Sequence, residues 1–540
     1  MAAFRSTVNT KSESFAENRK GMLALVARLR ELEDRARQRS AREGERFEKR
    51  GQILPRDRLT RLLDPGAPFL EIGNMAGYLQ DTDDPESTVP GGAQLAGIGF
   101  VGGVRAVIVV NDSGIGAGAL TAAGGQKILR CQRIALENKL PFIHLVESAG
   151  ADLLKYRVDG FVNGGAIFCN LARLSAAGIP VVTILHGSST AGGAYMPGLS
   201  DMVIAVRGRG KAFLAGPPLL KAATGEIATD EELGGAEMHA TISGLAEHLA
   251  EDDTHAIAIT RDVLRRLGWA EKTPPPPTRT FREPEYDPDE LAGIVPLDYR
   301  KPYDVKEVIA RVVDGSDLLE FKGLYGPHTV CVQGHVFGHA CGFIGNNGPI
   351  DPDGATKAAQ FIQHCCQTGT PIVYLQNTTG YMVGTQTERG GMIKHGSKMI
   401  QAVSNASVPQ FTFMIGASFG AGNYGMCGRA YDPRFCVTWP NARTGVMGAE
   451  QAATTMRIVM EASAKRRGKE VDEDMLGVME KQITDLFAPQ EDAFVCSGHL
   501  LDDGMIDPRE TRRVLGFLLG TVHEAELRDV RPNSFGVARM

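Results

Sequence analysis

The chain has 540 residues, of which 43% are apolar and 23% charged, with a formal net charge of −6. That length exceeds what one hydrophobic core sustains and suits two domains. The mild acidity gives no basis for a nucleic-acid partner and argues against an anionic membrane surface. The opening Met1-Ala2-Ala3-Phe4-Arg5 has no apolar signal core, and no run of about 18 apolar residues follows. A cytoplasmic protein without a membrane span is expected, with a trimmed transit peptide leaving the mitochondrial matrix open. The nine cysteines are scattered and never form a C-x-x-C pair, so free, mostly buried thiols are expected and no zinc site.

Residues 14–50 are charge-rich, with Leu23, Leu25, Val26, Leu29 and Leu32 at roughly helical spacing, and predict one long N-terminal helix. Arg50-Gly51 ends it, and Leu62-Leu63-Asp64-Pro65-Gly66 predicts a turn. β-branched runs occupy Ala96 to Asp112, a helix is predicted from about Gly125 to Lys139, and Pro141 to Val146 reads as a strand. Alternation of strand and helix marks an α/β fold. At Lys272-Thr273-Pro274-Pro275-Pro276-Pro277-Thr278 the composition turns to polyproline, which serves as a stiff connector and not as packed core. The domain boundary is placed there, giving domains 1–285 and 286–540.

The second domain replays the first. Lys127 matches Lys357, and Leu140-Pro141 to Gly150 matches Thr370-Pro371 to Gly380, both at a step of 230. Gly103 to Asn111 matches Gly338 to Asn346 at a step of 235. Ile179-Pro180-Val181-Val182-Thr183 leads into Gly187-Ser188-Ser189-Thr190-Ala191-Gly192-Gly193-Ala194-Tyr195. At a step of 229, Val408-Pro409-Gln410-Phe411-Thr412 leads into Gly416-Ala417-Ser418-Phe419-Gly420-Ala421-Gly422-Asn423-Tyr424. Four collinear blocks at a period far too long for a solenoid predict two copies of one domain. A small-residue turn after a buried strand lets backbone N–H groups approach a bound oxygen, and two copies suggest two such sites serving one reaction.

Other patterns carry less. Gly97-Ile98-Gly99-Phe100-Val101-Gly102 satisfies G-x-G-x-x-G, but Val104 to Val110 reads as a strand where a dinucleotide site needs a helix, so a hairpin is expected. His186-Gly187-Ser188-Ser189-Thr190 is no nucleophile elbow, and the matching Ser418 makes Ser189 a structural hydroxyl, although a triad with a distant His and Asp stays open. Glu147 is a candidate general base, weighed against a structural hydrogen-bonding role because its repeat partner is Asn377. What is left is backbone chemistry: N–H pairs that stabilise an oxyanion such as an enolate, each donor contributing about 3–4 kcal/mol. The proton then goes to a cofactor or to the substrate itself.

Several stretches resemble the carboxyltransferase (β) subunit of biotin-dependent acyl-CoA carboxylases, in the 3-methylcrotonyl-CoA and geranyl-CoA branch. They include Leu54-Pro55-Arg56-Asp57-Arg58, Asn138-Lys139-Leu140-Pro141, Leu145-Val146-Glu147-Ser148, Ser189 to Tyr195 and Lys221 to Glu226. The second domain adds Asn377 to Gly384, Gly391 to Gly396 and Phe419 to Tyr431, and the chain ends in Phe535-Gly536-Val537-Ala538-Arg539-Met540. The resemblance implies two tandem crotonase-like domains of repeated β-β-α units in a homo-oligomeric, hexameric core, with the active site between halves of different subunits. It implies that the first domain holds the acyl-CoA and the second the biotin.

By position, the N–H groups of Gly192 and Gly193 would stabilise the thioester enolate, with Gly164, Ala191, Ala194 and Tyr195 around the substrate. Those of Ala421 and Gly422 would hold the biotin ureido oxygen, with Phe419, Gly420, Asn423 and Tyr424 around the biotin. Carboxybiotin would release CO2, and its ureido anion would take the substrate proton, from the γ-carbon in the methylcrotonyl-type reaction. There is no Met-Lys-Met biotinylation site and no ATP-binding pattern. Biotin would therefore be carried on a separate biotin carboxylase/biotin carrier α subunit, coenzyme A would enter as part of the substrate, and no metal is expected. Where methylcrotonyl-type enzymes carry a phenylalanine, this chain reads Asn163-Gly164-Gly165-Ala166-Ile167-Phe168. The missing aromatic volume would admit a longer branched chain such as geranyl. A saturated short-chain acyl-CoA carboxylase, an enoyl-CoA hydratase or isomerase on the same fold, and a non-catalytic scaffold are the competing readings.

Overall fold

The computed structural model describes residues 3–150, 158–273, 279–468 and 472–533, so the Pro274–Pro277 run and the C-terminal Phe535–Met540 motif lie outside the described residues. The chain forms two compact units. One comprises residues 31–277 with 498–500 and 520–540; the other comprises 1–30, 278–497 and 501–519. Each unit thus borrows a terminal segment from the far end of the sequence. The N-terminal charged stretch is two helices, α1 (Glu13–Ala41) and α2 (Gly44–Lys49), where one was predicted. The break falls at Arg42-Glu43, in a polar stretch where the apolar spacing has run out, so nothing forces the helix to continue.

In the first unit, α3 (Pro55–Leu62) starts on a proline, whose missing N–H costs nothing there. The sheet contains β1 (Leu70–Glu71), β2 (Gln94–Val101), β3 (Val104–Asn111), β4 (Phe142–Ser148), β5 (Val181–Thr190), β6 (Met202–Val206), β7 (Lys211–Phe213) and β8 (His248–Ala250). Their order is β1-β2-β3-β4-β5-β6-β8, with β7 on β5. β1, β2 and β3 pair antiparallel, and everything from β3 onward is parallel. Helix α4 (Ala122–Glu137) crosses between β3 and β4, and α5 (Val158–Gly164) with α6 (Ala166–Ala176) crosses between β4 and β5. Parallel strands covered on both faces must be apolar throughout. Ile108, Ile143, Leu145, Val182, Ile184 and Ile204 accordingly lie in one buried core.

The second unit repeats this plan with β9 (Leu319–Glu320), β10 (Thr329–Val336), β11 (His339–Asn346), β12 (Ile372–Thr378), β13 (Gln410–Phe419), β14 (Phe435–Thr438) and β15 (Arg443–Gly445), ordered β14-β13-β12-β11-β10-β9 with β15 on β13. Registers repeat as well as order. Phe142 pairs with Val181 in one sheet, and Ile372 with Gln410 in the other. Both central pairs shift register near their ends, closing on Ser148↔Ser189 and Thr378↔Ser418. The fold is therefore a duplicated crotonase-like β-β-α arrangement.

The G-x-G-x-x-G stretch lies in the β2–β3 hairpin, whose Gly102 and Gly103 have φ of 60° and 81°. Asp64 accepts from the N–H groups of both, at 2.8 and 2.7 Å. Burial would raise the Asp64 carboxyl, but those N–H groups and Arg261 outweigh it and hold it below the usual range. Asp314 repeats the device on Phe337 and Gly338 of the β10–β11 hairpin.

All nine cysteines are free, and among the described residues no helix is long and apolar enough to cross a membrane.

His144, in the middle of β4, is buried and bonds Asn111 on β3 at 3.1 Å, and burial pushes its pKa down to about 3. A group neutral in the fold and protonated when unfolded stabilises above its unfolded pKa and loses that contribution as pH falls below it. Between pH 7 and pH 5 the wild-type chain should lose about 2 kcal/mol that a His144→Asn variant does not lose. Urea unfolding at the two pH values measures the difference.

Candidate functional site

Each of β5 and β13 ends in a tight turn that enters a helix. In the first unit, Thr190 is extended (φ −113°, ψ 156°), Ala191 is left-handed (φ 52°), and a single turn Ala191–Ala194 passes into the helix Tyr195–Gly198. In the second, Phe419 is extended (φ −108°, ψ 147°), Gly420 is left-handed (φ 53°), and Gly420–Gly425 is helical. The same backbone is built twice from different residues. An alanine in the left-handed region costs roughly 1–2 kcal/mol, and the first unit tolerates this at Ala191.

Helix-initial N–H groups have no intrahelical acceptor. Neither Thr190 nor Phe419 caps its helix with a side chain, although threonine is well suited to do so. Gly192 and Ala421 are exposed, Gly193 and Gly422 are buried, and Tyr195 and Tyr424 are each 47% exposed. The turns therefore present open N–H groups beside a half-exposed aromatic ring, a geometry suited to holding an oxyanion.

The loop after the preceding strand closes behind each turn. Gly150 (φ 85°) and Gly380 (φ 123°) each donate to the hydroxyl two residues back, Ser148 and Thr378, both at 3.2 Å. A Cβ on Gly422 would lie 2.8 Å from the Gly380 Cα, whereas one on Gly193 would meet the Ser189 Oγ at 3.0 Å.

What braces the two turns differs. Beneath the second, the Asn423 amide donates to Ser418 Oγ at 2.7 Å, Ser418 bonds Gln376 Oε1, and Gln376 Nε2 donates to the Met426 carbonyl at 2.7 Å. The Asn423 side chain is thus spent inside the fold, and the buried Phe419 ring packs edge-on against Tyr299 at 5.2 Å. Phe419 is buried whole, and the Asn423 amide nitrogen is engaged within the fold. In the first unit the equivalents of Gln376 and Asn423 are Val146 and Ala194, so the buried Ser189 Oγ has no partner.

Glu147 bears on β5 upstream of the first turn. A Cβ on Gly187 would lie 2.7 Å from its side chain, so only glycine lets the strand pass. Glu147 bonds Arg58 at 2.8 Å, Arg58 bonds Asp253 at 3.1 Å, and the His186 Nδ1–H donates to Asp253 at 2.7 Å. Burial raises Asp253, but His186, Arg58 and the Ile53 N–H more than offset it, leaving its pKa at about 2. Burial, reinforced by Arg58, holds His186 neutral. Glu147 is therefore an ion-pair partner and not a free base. Ser189 makes no bond to His186, so the His–Asp pair lacks the nucleophile of a triad. The repeat partner Asn377 does the corresponding work without charge, accepting from the Ala417 N–H at 2.8 Å.

Gly164 ends α5, and among the described residues nothing lies within 4 Å of where its Cβ would be. The sequence reading singled out Gly164 but passed over Phe168. The Phe168 ring comes 3.4 Å from the Cβ position of Gly192 and stands edge-on to Tyr195 at 5.8 Å.

A carboxyl transferase domain matches residues 46–532. The chain belongs to the carboxyl transferase domain family. It is a carboxyltransferase of the biotin-dependent acyl-CoA carboxylases. This carboxyltransferase is 52% identical to the crystal structure of the P. aeruginosa geranyl-CoA carboxylase β subunit, with a TM-score of 0.93 and all of both chains covered. It is 48% identical to a probable biotin-dependent acyl-coenzyme A carboxylase beta2 subunit of Mycobacterium tuberculosis, over 92% of each chain. It is 42% identical to a probable mitochondrial methylcrotonoyl-CoA carboxylase beta chain of Drosophila melanogaster, over 99% of this chain and 95% of that one.

Two outcomes follow. Gly422→Ala forces backbone apart and should cost 1–3 kcal/mol of stability, whereas Gly193→Ala meets a side chain that can rotate and should cost under about 1 kcal/mol; thermal unfolding compares them. Arg58→Met removes the cation from Glu147 and one of three partners from Asp253 and should cost about 3–5 kcal/mol, read by chemical denaturation at pH 7.

Proposed function

We propose that this carboxyltransferase moves a carboxyl group from carboxybiotin to the γ-carbon of a branched α,β-unsaturated acyl-CoA, with geranyl-CoA favoured over 3-methylcrotonyl-CoA. The observation that carries the reading is the pair of matched, uncapped turns, one in each unit. Biotin, in its carboxylated form, supplies the carboxyl group; the chain's own residues bind, orient and stabilise.

On the acyl-CoA side (1–285), the N–H groups of Gly192 and Gly193 stabilise the charge that develops on the thioester oxygen, and Ala191, Ala194 and Tyr195 flank the acyl group. On the biotin side (286–540), Ala421 and Gly422 offer their N–H groups to the ureido oxygen. Gly420 and Tyr424 border it, Asn423 contributes through its backbone, and Phe419 supports the turn from beneath as buried packing. An exposed Ala421 beside a Gly422 with no room for a Cβ fits a small carbonyl-like oxygen better than a bulky group. The reading extends to a separate biotin carboxylase/biotin carrier α subunit and a hexameric core of this chain.

Geranyl-CoA is favoured because no described residue lies within 4 Å of the Gly164 Cβ position, and because a geranyl-CoA carboxylase β subunit matches the whole chain at 52% identity. The chain, co-purified with its biotin-bearing partner, should fix bicarbonate on geranyl-CoA faster than on 3-methylcrotonyl-CoA or propionyl-CoA. Fixation on none of the three refutes the function, and preference for 3-methylcrotonyl-CoA moves the substrate to the methylcrotonyl type. Gly164→Phe should lower kcat/KM for geranyl-CoA about tenfold relative to 3-methylcrotonyl-CoA; an unchanged ratio removes Gly164 from the acyl pocket.

A further inference from the structure

Beside the first turn, α5 and α6 carry apolar side chains where a surface helix is normally polar. Phe161 is 72% exposed and Val162 is 67% exposed, while Phe168 is partly buried against Gly192 and Tyr195. The residue between the two helices, Gly165, has helical φ and ψ (−57°, −23°), so the helical path runs through from one to the other. Residues seven apart lie on one helix face, which puts Phe161 and Phe168 in line. Gly164 and Gly165 lie between them. Among the described residues, a Cβ on Gly164 would meet nothing within 4 Å, and one on Gly165 only the Val162 carbonyl, at 3.4 Å. Two aromatic rings separated by a glycine floor make a shallow apolar trough that begins at the open N–H groups of the turn.

Its length selects its occupant. Seven residues of helix advance about 10 Å. An extended carbon chain advances roughly 1.25 Å per bond, given carbon–carbon bonds of about 1.5 Å. The seven bonds of an eight-carbon backbone cover about 9 Å, so a chain whose first carbons lie over Phe168 brings its far end onto the Phe161 ring, and a four-carbon backbone stops over the glycines.

We propose that Phe161 and Phe168 are specificity-determining residues for the acyl group, Phe168 holding the carbons next to the thioester and Phe161 the end of a chain of about eight carbons. This deepens the reading of the first turn as the acyl-CoA site and rests on it. Full burial of a methylene improves binding roughly fourfold, so a half-open trough should yield about twofold per carbon.

The test is calorimetric titration of the assembled carboxylase with butyryl-, hexanoyl-, octanoyl- and decanoyl-CoA. Wild type should gain about twofold per carbon up to eight carbons and then level off. Phe161→Ser, a change on the surface, should lower the octanoyl-to-butyryl affinity ratio about fivefold. Phe168→Ser should weaken both ligands and leave that ratio within twofold. Affinity independent of chain length in wild type, or a ratio unmoved by Phe161→Ser, overturns the proposal. So does a Phe161→Ser variant that changes only its oligomeric state by light scattering, which would make this face a contact between copies. A chain-length slope in an enzyme that carboxylates neither geranyl-CoA nor 3-methylcrotonyl-CoA would remove the substrate reading and leave the trough standing.

Discussion

The structure depends on leaving a few backbone N–H groups without an internal acceptor at the end of a buried strand. Helix starts are ordinarily capped because an unpaired N–H away from water is costly. Here neither strand-end residue caps its helix, and the turns open outward at Gly192 and Ala421. Keeping donors open requires that the surroundings hold the backbone still. The register shift between β4 and β5, repeated between β12 and β13, does this by bringing a positive-φ glycine behind each turn. The left-handed residue at the head of each turn then aims the chain into the helix.

The two copies keep the backbone and exchange the bracing. The second turn is tied by a relay of amides and a hydroxyl, Asn423–Ser418–Gln376, and the first keeps an unpartnered Ser189 hydroxyl under Gly193. Upstream, a buried charged chain through Glu147, Arg58, Asp253 and His186 stands where the second unit has the neutral contact of Asn377 with Ala417. Duplication preserved the backbone of the two turns and the direction of their N–H groups. It left the supporting side chains free to diverge, since several hydrogen-bond sets can hold one strand.

Much of this was legible in the chain. The steps of 229, 230 and 235 between repeated blocks are the registers of the two sheets, because an insertion inside a paired strand would move every side chain to the other face. The hairpin at Gly102-Gly103 followed from a strand pattern where a nucleotide site needs a helix. The break between α1 and α2 was not legible, since a charged stretch with sparse leucines fits one helix or two. Phe168 was passed over because nothing local distinguishes an aromatic that touches the turn from one that fills the core.

The sequence by itself determined the α/β class, the duplication, the paired turns and the family resemblance, because periodicity, turn residues and repeat spacing are local properties of the chain. Tertiary structure alone decided that Glu147 is an ion-pair partner and not a base. It also decided that Asn423 bonds inward to Ser418 and that the Phe168 ring stands beside Gly192. Those facts depend on which residues the sheet register and helix rotation bring together. Arg58, Glu147, His186 and Asp253 span nearly 200 positions, and no spacing along the chain reveals that they meet.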